Sequence, residues 1–587
     1  MKAIKLFFIL IIAFLPFRVF AGPIGSDQAK VIAERFFSSS MTRSSGREMN
    51  LIWSGSDIRH GVSTKSSSSQ EDDMLYIFNS SDVEGYVIIA GDDHVDPVIG
   101  YSFERNFDVD NVPDALADLL MSWAKYISDM SSAPSMTRTR SAEPYTGNVV
   151  EKYETAKWSQ SEPFNGLLPV FGGNRSITGC VATASSILMK YFNWPLKGTG
   201  VIPSYSFVDV FGNGRTVQEI ALGHQYDYND MLMDYSASYS SAQAEAVAVL
   251  MRDVGASVKM NYSYVSSSAS TMSMLSALTS YFGYSKAARL EPSDSYMNYD
   301  WQKMLKDNIR NCGPTAVGAA GAEGRHMFIL DGFTTEGYFS INFGWGGYND
   351  GFYLMPDVEY DNDYEAVIGL VPDYNSASEY NDDIRLRAIS DTYAGIYSTA
   401  SEFREGVRFD CSLGAVINAA PVPFDGSIRL SLVDADGKVV EENVWGPYEI
   451  NDLAPMYYLL FNPMSVTVSE IREGYRLRVY FKGEYSDAWQ WARGYDEVAM
   501  DEVILRATPE DIARLTSVTI SKEDRRFQFT SSVPLSFSVM NASGMVVTSG
   551  TATSFTETEI DMSGFTSGEY VFSFASGGNP YTFTLVL

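Results

Sequence analysis

Apolar positions recur at helical spacing in separated stretches of the chain, with alternating or continuous apolar runs between them. Val31, Ile32, Phe36 and Phe37 predict a helix over Asp27–Phe37. Ala115, Leu119, Leu120, Trp123 and Ile127 predict a second from Pro113 to about Met130. Short apolar runs between these helices, Leu75–Asn79, Gly85–Ala90 and Val98–Tyr101, read as strands, so residues 22–130 predict a small α+β unit. The serine- and acid-rich stretch Ser63–Asp73 inside it reads as a mobile loop. Residues 131–147 hold little bulky apolar content beyond Met136 and Tyr145; such a stretch cannot pack and is a preferred site of proteolytic nicking. Its placement suits a pro-segment that must be cut off.

Beyond the linker, helical periods cover Cys180–Phe192, Ser241–Val254, Ser267–Tyr281 and Asn298–Arg310, the last ending before Gly313-Pro314. Strand patterns follow at Thr315–Ala319, His326–Phe333, Tyr338–Phe343 and Gly351–Leu354. Helices first and an antiparallel sheet after predict an α+β domain over 148–374, two-lobed with a cleft. The turn Thr334–Gly337 makes His326–Phe333 and Tyr338–Phe343 a hairpin, with His326 and Asn342 near the same end. The small-residue stretch Gly318–Gly324 reads as a mobile loop over the cleft. From about 376 the pattern turns to short alternating strands with turn signals such as Asp434-Ala435-Asp436-Gly437. Residues 380–508 suit one β-sandwich and 514–587 a smaller one.

At 587 residues the chain is too long for one core. A net charge of −30 argues against a nucleic-acid partner, whose phosphates call for a basic surface. Residues 1–21 carry Lys2 and Lys5, then the apolar run Leu6–Phe17, then Val19-Phe20-Ala21. This predicts a secretory signal cut after Ala21, and hence a secreted or cell-surface protein. No other stretch is apolar and long enough to predict a membrane span, and no cysteine follows the apolar run to carry a lipid anchor.

Candidate chemistry centres on Cys180, at the threshold of a predicted helix, with His326 far downstream and Asn342 after it. A thiolate is the nucleophile of a thiol protease, and a helix N-terminus and an imidazolium both stabilise it. An asparagine oxygen can fix the imidazole ring without adding charge. The developing oxyanion needs donors; the Cys180 backbone N–H is one, and Gln160 is a candidate for the second. Of four histidines, His60 and His94 precede the linker, and His224 lies in a polar, solvent-exposed loop, which leaves His326 as the base. Trp345 has two readings, core packing or shielding of the His–Asn hydrogen bond from water. Asp331 reads as a cap for the turn after its strand. Cys312 and Cys411 either pair or are buried as small apolar groups, the second reading fitting their surroundings better. No metal-ligand spacing appears, and no cofactor is expected.

The runs Lys-Trp-Ser-Gln-Ser-Glu-Pro-Phe-Asn (157–165), Thr-Gly-Cys-Val-Ala-Thr-Ala (178–184), Met-Lys-Tyr-Phe-Asn-Trp-Pro (189–195), Tyr-Asp-Tyr-Asn-Asp-Met (226–231), Gly-Arg-His-Met-Phe-Ile-Leu-Asp-Gly-Phe (324–333) and Ile-Asn-Phe-Gly-Trp-Gly-Gly (341–347) resemble the streptopain family, bacterial secreted cysteine peptidases of the papain superfamily. Residues 85–93 and 97–102 extend the resemblance into the first unit, so it covers about 22–374. It implies a two-lobed papain-like catalytic domain preceded by an α+β pro-domain that acts as intramolecular inhibitor, with β-sandwich modules following outside the family pattern. It further implies Cys180 as nucleophile, His326 as general base, Gln160 in the oxyanion hole, and Asn342 and Trp345 supporting the histidine. Protein or peptide substrates with a bulky apolar residue two before the scissile bond are implied too. Phe343 stands where another tryptophan would be expected. The end of the chain, from Ser-Gly-Glu-Tyr-Val-Phe-Ser-Phe (567–574), resembles sorting domains of a Gram-negative secretion system. Two rival readings remain: a host-surface adhesin with an inert peptidase-like domain, and a transamidase that passes the acyl group to an amine.

Overall fold

The computed structural model describes residues 22–40, 48–60, 73–132, 148–296, 298–321, 324–355, 363–390, 393–495, 500–521 and 525–587. The expected signal at 1–21 and most of the expected loop at 63–73 and linker at 131–147 lie outside them. Two compact units divide the chain: residues up to Val150 with Phe333–Ile341 and Tyr348–Pro356, and then Glu151–Gly332, Asn342–Gly347 and Asp357–Leu587.

In the first unit, helices α1 (Ser26–Ser40) and α2 (Asp114–Ser132) accompany an antiparallel sheet of Met49–Gly55, Leu75–Ser80, Tyr86–Ala90 and Val98–Ser102. The strand Met49–Gly55 is an addition to the sequence reading. Helix α1 buries Ala29, Ile32, Ala33, Phe36 and Phe37, whereas Val31, expected on that face, is 54% exposed. The i, i+3, i+4, i+7 stripe runs through the alanines, and Val31 lies off it. The sheet continues into strands from far downstream: Gly351–Tyr353 pairs with Val98–Ser102, and Phe339–Asn342 pairs with Gly351–Tyr353. Buried hydroxyls fix this junction, since Tyr86 donates to the Asn349 carbonyl at 2.9 Å and Tyr338 to the Val98 carbonyl at 2.9 Å.

The second unit opens with helices α3 (Cys180–Phe192), α4 (Ser241–Ser257), α5 (Thr271–Tyr281) and α6 (Asn298–Cys312). Ser240 and Gln243 form a reciprocal capping box that starts α4, and Ser270 caps α5. An antiparallel sheet follows, in the order Gly324–Thr334, Thr315–Gly321, Tyr364–Ile368 and Arg289–Pro292. Its Ala316, Met327, Ile329, Val367 and Leu290 share one core with Ile187, Leu188, Val254, Leu275 and Leu278 of the helices. The described residues of the expected loop Gly318–Gly324 are strand instead, with Gly318 opposite Met327, Ala319 opposite His326 and Gly321 opposite Gly324. At Gly318 the small residue serves close packing, since a Cβ there would stand 2.7 Å from Thr271 Oγ1.

The expected β-sandwich region holds two five-stranded sheets around a core that includes Leu386, Leu413, Leu430 and Val479. Helix α7 (Pro509–Leu515), capped by Thr508, leads to a smaller pair of sheets around Phe527, Phe529, Phe572 and Phe574. Among the described residues no helix is long and apolar enough to cross a membrane.

Candidate active site

Gly179 sets the position of Cys180. Its φ of +82° turns the chain so that Cys180 is the first residue of α3, and no side chain caps the helix there. A Cβ on Gly179 would lie 2.8 Å from Met260 Sδ and 2.9 Å from the Ser267 carbonyl, so only glycine fits. The half-buried thiol therefore stands at the positive end of a helix dipole. Thr183 ties the first turn down, its amide and hydroxyl both donating to the Gly179 carbonyl at 3.0 Å.

The segment 155–160 links the other candidates to this turn. The Thr178 amide donates to the Gln160 carbonyl at 3.1 Å, which brings Gln160, 8% exposed, beside the Cys180 approach. The Gly346 amide donates to the Trp158 carbonyl at 2.9 Å. Asn342 donates through Nδ2 to the Ala156 carbonyl and to Thr155 Oγ1, each at 3.0 Å, and its Oδ1 accepts from the Gly344 amide at 2.9 Å. Gly344 lies against α3, where a Cβ would meet Thr183 Cγ2 at 3.2 Å. The Asn342–Gly347 loop thus rests on the first turn of the cysteine's helix.

His326 is half-buried near the start of its strand and pairs across to Ala319. Two residues on, Phe328 packs with Phe343 at 6.0 Å between ring centres. Phe343 is 4% exposed, so the phenyl ring at the position expected to be tryptophan fills core beneath the Asn342 loop. Trp345 is half-buried in that loop.

One further residue departs from the sequence reading. Asp331 caps no turn: it lies inside the strand Gly324–Thr334, 3% exposed, accepting from the Thr155 hydroxyl at 2.6 Å and from Lys152 Nζ at 2.8 Å. His224, its side chain 36% exposed, is anchored as well: its Nε2 lies 2.7 Å from the fully buried Asp253 carboxylate, which Tyr226 and Arg252 also engage. No motif flagged Thr155, and its only sequence signal is a place just upstream of the Gln160 run.

None of the three cysteines forms a disulfide. Cys411 is fully buried in the sandwich core, where desolvation pushes its thiol up to about 12. Cys312, at the end of α6, is half-buried rather than buried; desolvation raises its thiol against a smaller lowering by Arg289. Although no ligand spacing is evident in the sequence, one cluster among the described residues, Asp92, Asp93 and His94 of the first unit, has ligand atoms within 4.8 Å of one another. Its groups are engaged within the protein: Asp92 with His94 Nδ1 and the Ser131 hydroxyl, Asp93 with the Gly22 amide.

Residues 158–353 match the Peptidase C10 family, and residues 21–127 match the Spi protease inhibitor family. The segment 158–353 is thus similar to the peptidase domains of streptopain-like cysteine peptidases. Among curated relatives, the thiol protease/hemagglutinin PrtT of Porphyromonas gingivalis is 29% identical over 382 residues, 61% of this chain and 43% of that protein. Streptopain of Streptococcus pyogenes is 29% identical over 299 residues, 48% of this chain and 73% of the relative. The chain therefore spans less than half of the first of these relatives. Among solved structures, a prointerpain A fragment of Prevotella intermedia covers 55% of this chain and 99% of its own, at 25% identity and a TM-score of 0.42. Along the chain, the region matching Peptidase C10 follows the region matching the Spi protease inhibitor family and precedes β-rich modules.

Proposed function

We propose that the chain is the precursor of a secreted cysteine endopeptidase, with residues 22–130 as its intramolecular inhibitor and 131–147 as the segment cut on activation. The Cys180 thiolate attacks a peptide carbonyl carbon, and the oxyanion is met by the Cys180 backbone N–H and a Gln160 side-chain N–H. His326 gives a proton to the leaving amine as the C–N bond breaks, leaving a thioester. Water, losing a proton to the same imidazole, then adds to the thioester and releases the carboxylic acid and the thiol. Asn342 orients the imidazole and Trp345 shields that contact from water. The family resemblance supports a bulky apolar residue two before the scissile bond.

The observation that carries this reading is the seating of the Asn342–Gly347 loop, through Gly344, on the first turn of the helix that Cys180 begins. The Spi protease inhibitor match over 21–127 supports the inhibitor role. An intact-mass time course of 22–587 under reducing conditions, beside Cys180→Ala, tests the proposal. Loss of a fragment ending within 131–147 from the wild type alone is the expected result. Should neither chain change, the linker is opened with a foreign protease and peptide hydrolysis measured. Silence at that stage would favour the adhesin reading, and transfer to an added amine in place of water would favour the transamidase.

A further inference from the structure

Asn342 is held by a chain of polar groups that ends at a lysine. Lys152 Nζ lies 2.8 Å from Asp331 Oδ1, Thr155 Oγ1 lies 2.6 Å from Asp331 Oδ2, and Asn342 Nδ2 lies 3.0 Å from Thr155 Oγ1. Thr155, Asp331 and Asn342 are 6%, 3% and 3% exposed, so bulk water does not substitute for these partners. Hydrogen-bond inventory then fixes every direction. A carboxylate only accepts, so the single Thr155 proton points to Asp331. The Thr155 oxygen is left to accept, and the Ala156 carbonyl beside it also only accepts. Asn342 must therefore turn its NH₂ toward both, which aims Oδ1 the opposite way. There it takes the Gly344 amide and keeps a second lone pair for a ring N–H.

We propose that Thr155 and Asp331 are positioning residues for the peptidase reaction: Asp331, ion-paired with Lys152, fixes the Thr155 hydroxyl, Thr155 fixes the Asn342 amide, and Asn342 fixes the His326 ring. A buried carboxylate is costly unless it is paired and hydrogen-bonded, and here both of its oxygens are spent on the segment that carries Lys152 and Thr155. Without the hydroxyl, the Asn342 amide loses the partner that distinguishes its two ends and can rotate. His326 then loses its acceptor for part of the time. The role assigned to Thr155 rests on the proposed peptidase reading.

Thr155→Val, which keeps the shape and removes the hydroxyl, and Thr155→Ser, which keeps the hydroxyl, are compared in chains whose linker has been opened by a foreign protease. Hydrolysis of a quenched peptide is followed for each variant, alone and in an Asn342→Ala background. The expected result is a kcat at least about tenfold lower for Thr155→Val with KM little changed, and near-wild-type kcat for Thr155→Ser. In the Asn342→Ala background Thr155→Val should cost nothing more, because it acts through Asn342. If Thr155→Val does not fold, Thr155→Ala, which only removes atoms, takes its place. Wild-type kcat in the valine variant, or a full loss repeated in the Asn342→Ala background, overturns the proposal while the active wild type leaves the peptidase reading standing. An inactive wild type overturns the peptidase reading, and the positioning role of Thr155 with it.

Discussion

Gly179 decides where the thiol can stand, because the helix turn it makes has neither the backbone angle nor the room for a side chain. Gly179→Ala is expected to cost ~1–3 kcal/mol of stability from strain and close contact, and to displace Cys180. Thermal unfolding checks the first effect and kcat/KM of the linker-opened protein the second, which should fall more than the stability loss alone explains. Thiol reactivity offers a second residue-scale prediction. Burial raises the Cys411 and Cys312 thiols, so both hold little thiolate at neutral pH, whereas Cys180 heads a helix. Timed iodoacetamide labelling of the linker-opened protein, read by peptide mass, should modify Cys180 first and Cys411 only after denaturation. Cys180, His326, Asn342 and Gln160 were conspicuous in the sequence because each sits in a short motif whose chemistry is recognisable. Thr155 and Asp331 were not: they meet across 176 residues, and nothing local to either records the other.

Helices α1 to α6 were read from their periodicity to within a few residues at each end, since apolar spacing and capping serines are local signals, whereas the short α7 was not read. Reading failed where glycine and alanine marked close packing rather than a loop, as at Gly318 against Thr271. It also could not foresee that Phe339–Asn342 and Gly351–Tyr353 complete the N-terminal unit's sheet, because strand partners across such separations leave no periodic trace. That pairing yields a third prediction. A Cβ on Gly100 would stand 2.5 Å from Tyr353 Cδ1 and 3.2 Å from the Phe352 carbonyl. Gly100→Val should therefore weaken the hold of residues 22–130 on the Gly351–Tyr353 strand. Size-exclusion chromatography after linker opening is expected to show the N-terminal fragment leaving the variant sooner than the wild type.

Across the second unit, the first β-sandwich is bound to the peptidase sheet rather than strung behind it. Arg385 of the strand Ile384–Ser390 lies 3.1 Å from Glu291 of the strand Arg289–Pro292, the Ser276 hydroxyl donates to the Pro421 carbonyl at 2.8 Å, and the Lys286 amide donates to Ser378 Oγ at 2.9 Å. Burial alone would raise the Glu291 carboxyl, but Arg385, helped by Arg289, outweighs it and leaves the group below the usual carboxylate range. A lowered folded value means that the pair stabilises at neutral pH and that this contribution is lost as pH falls below about 4. Arg385→Ala, which leaves the buried Glu291 with Arg289 alone, should cost ~1–3 kcal/mol at pH 7 and less at low pH, as urea unfolding at both pH values would report. These contacts also place the β modules in the stability of the peptidase domain, although composition marked them only as separate sandwiches.

The most direct measurement on the whole molecule is an acid-quenched intact mass of linker-opened protein during turnover of a slow ester substrate. A cysteine peptidase of the kind proposed should gain the mass of one acyl group, located by peptide mapping to Cys180, and both the adduct and the hydrolysis should vanish in Cys180→Ala. An adduct on another residue, or hydrolysis that survives Cys180→Ala, would contradict the account.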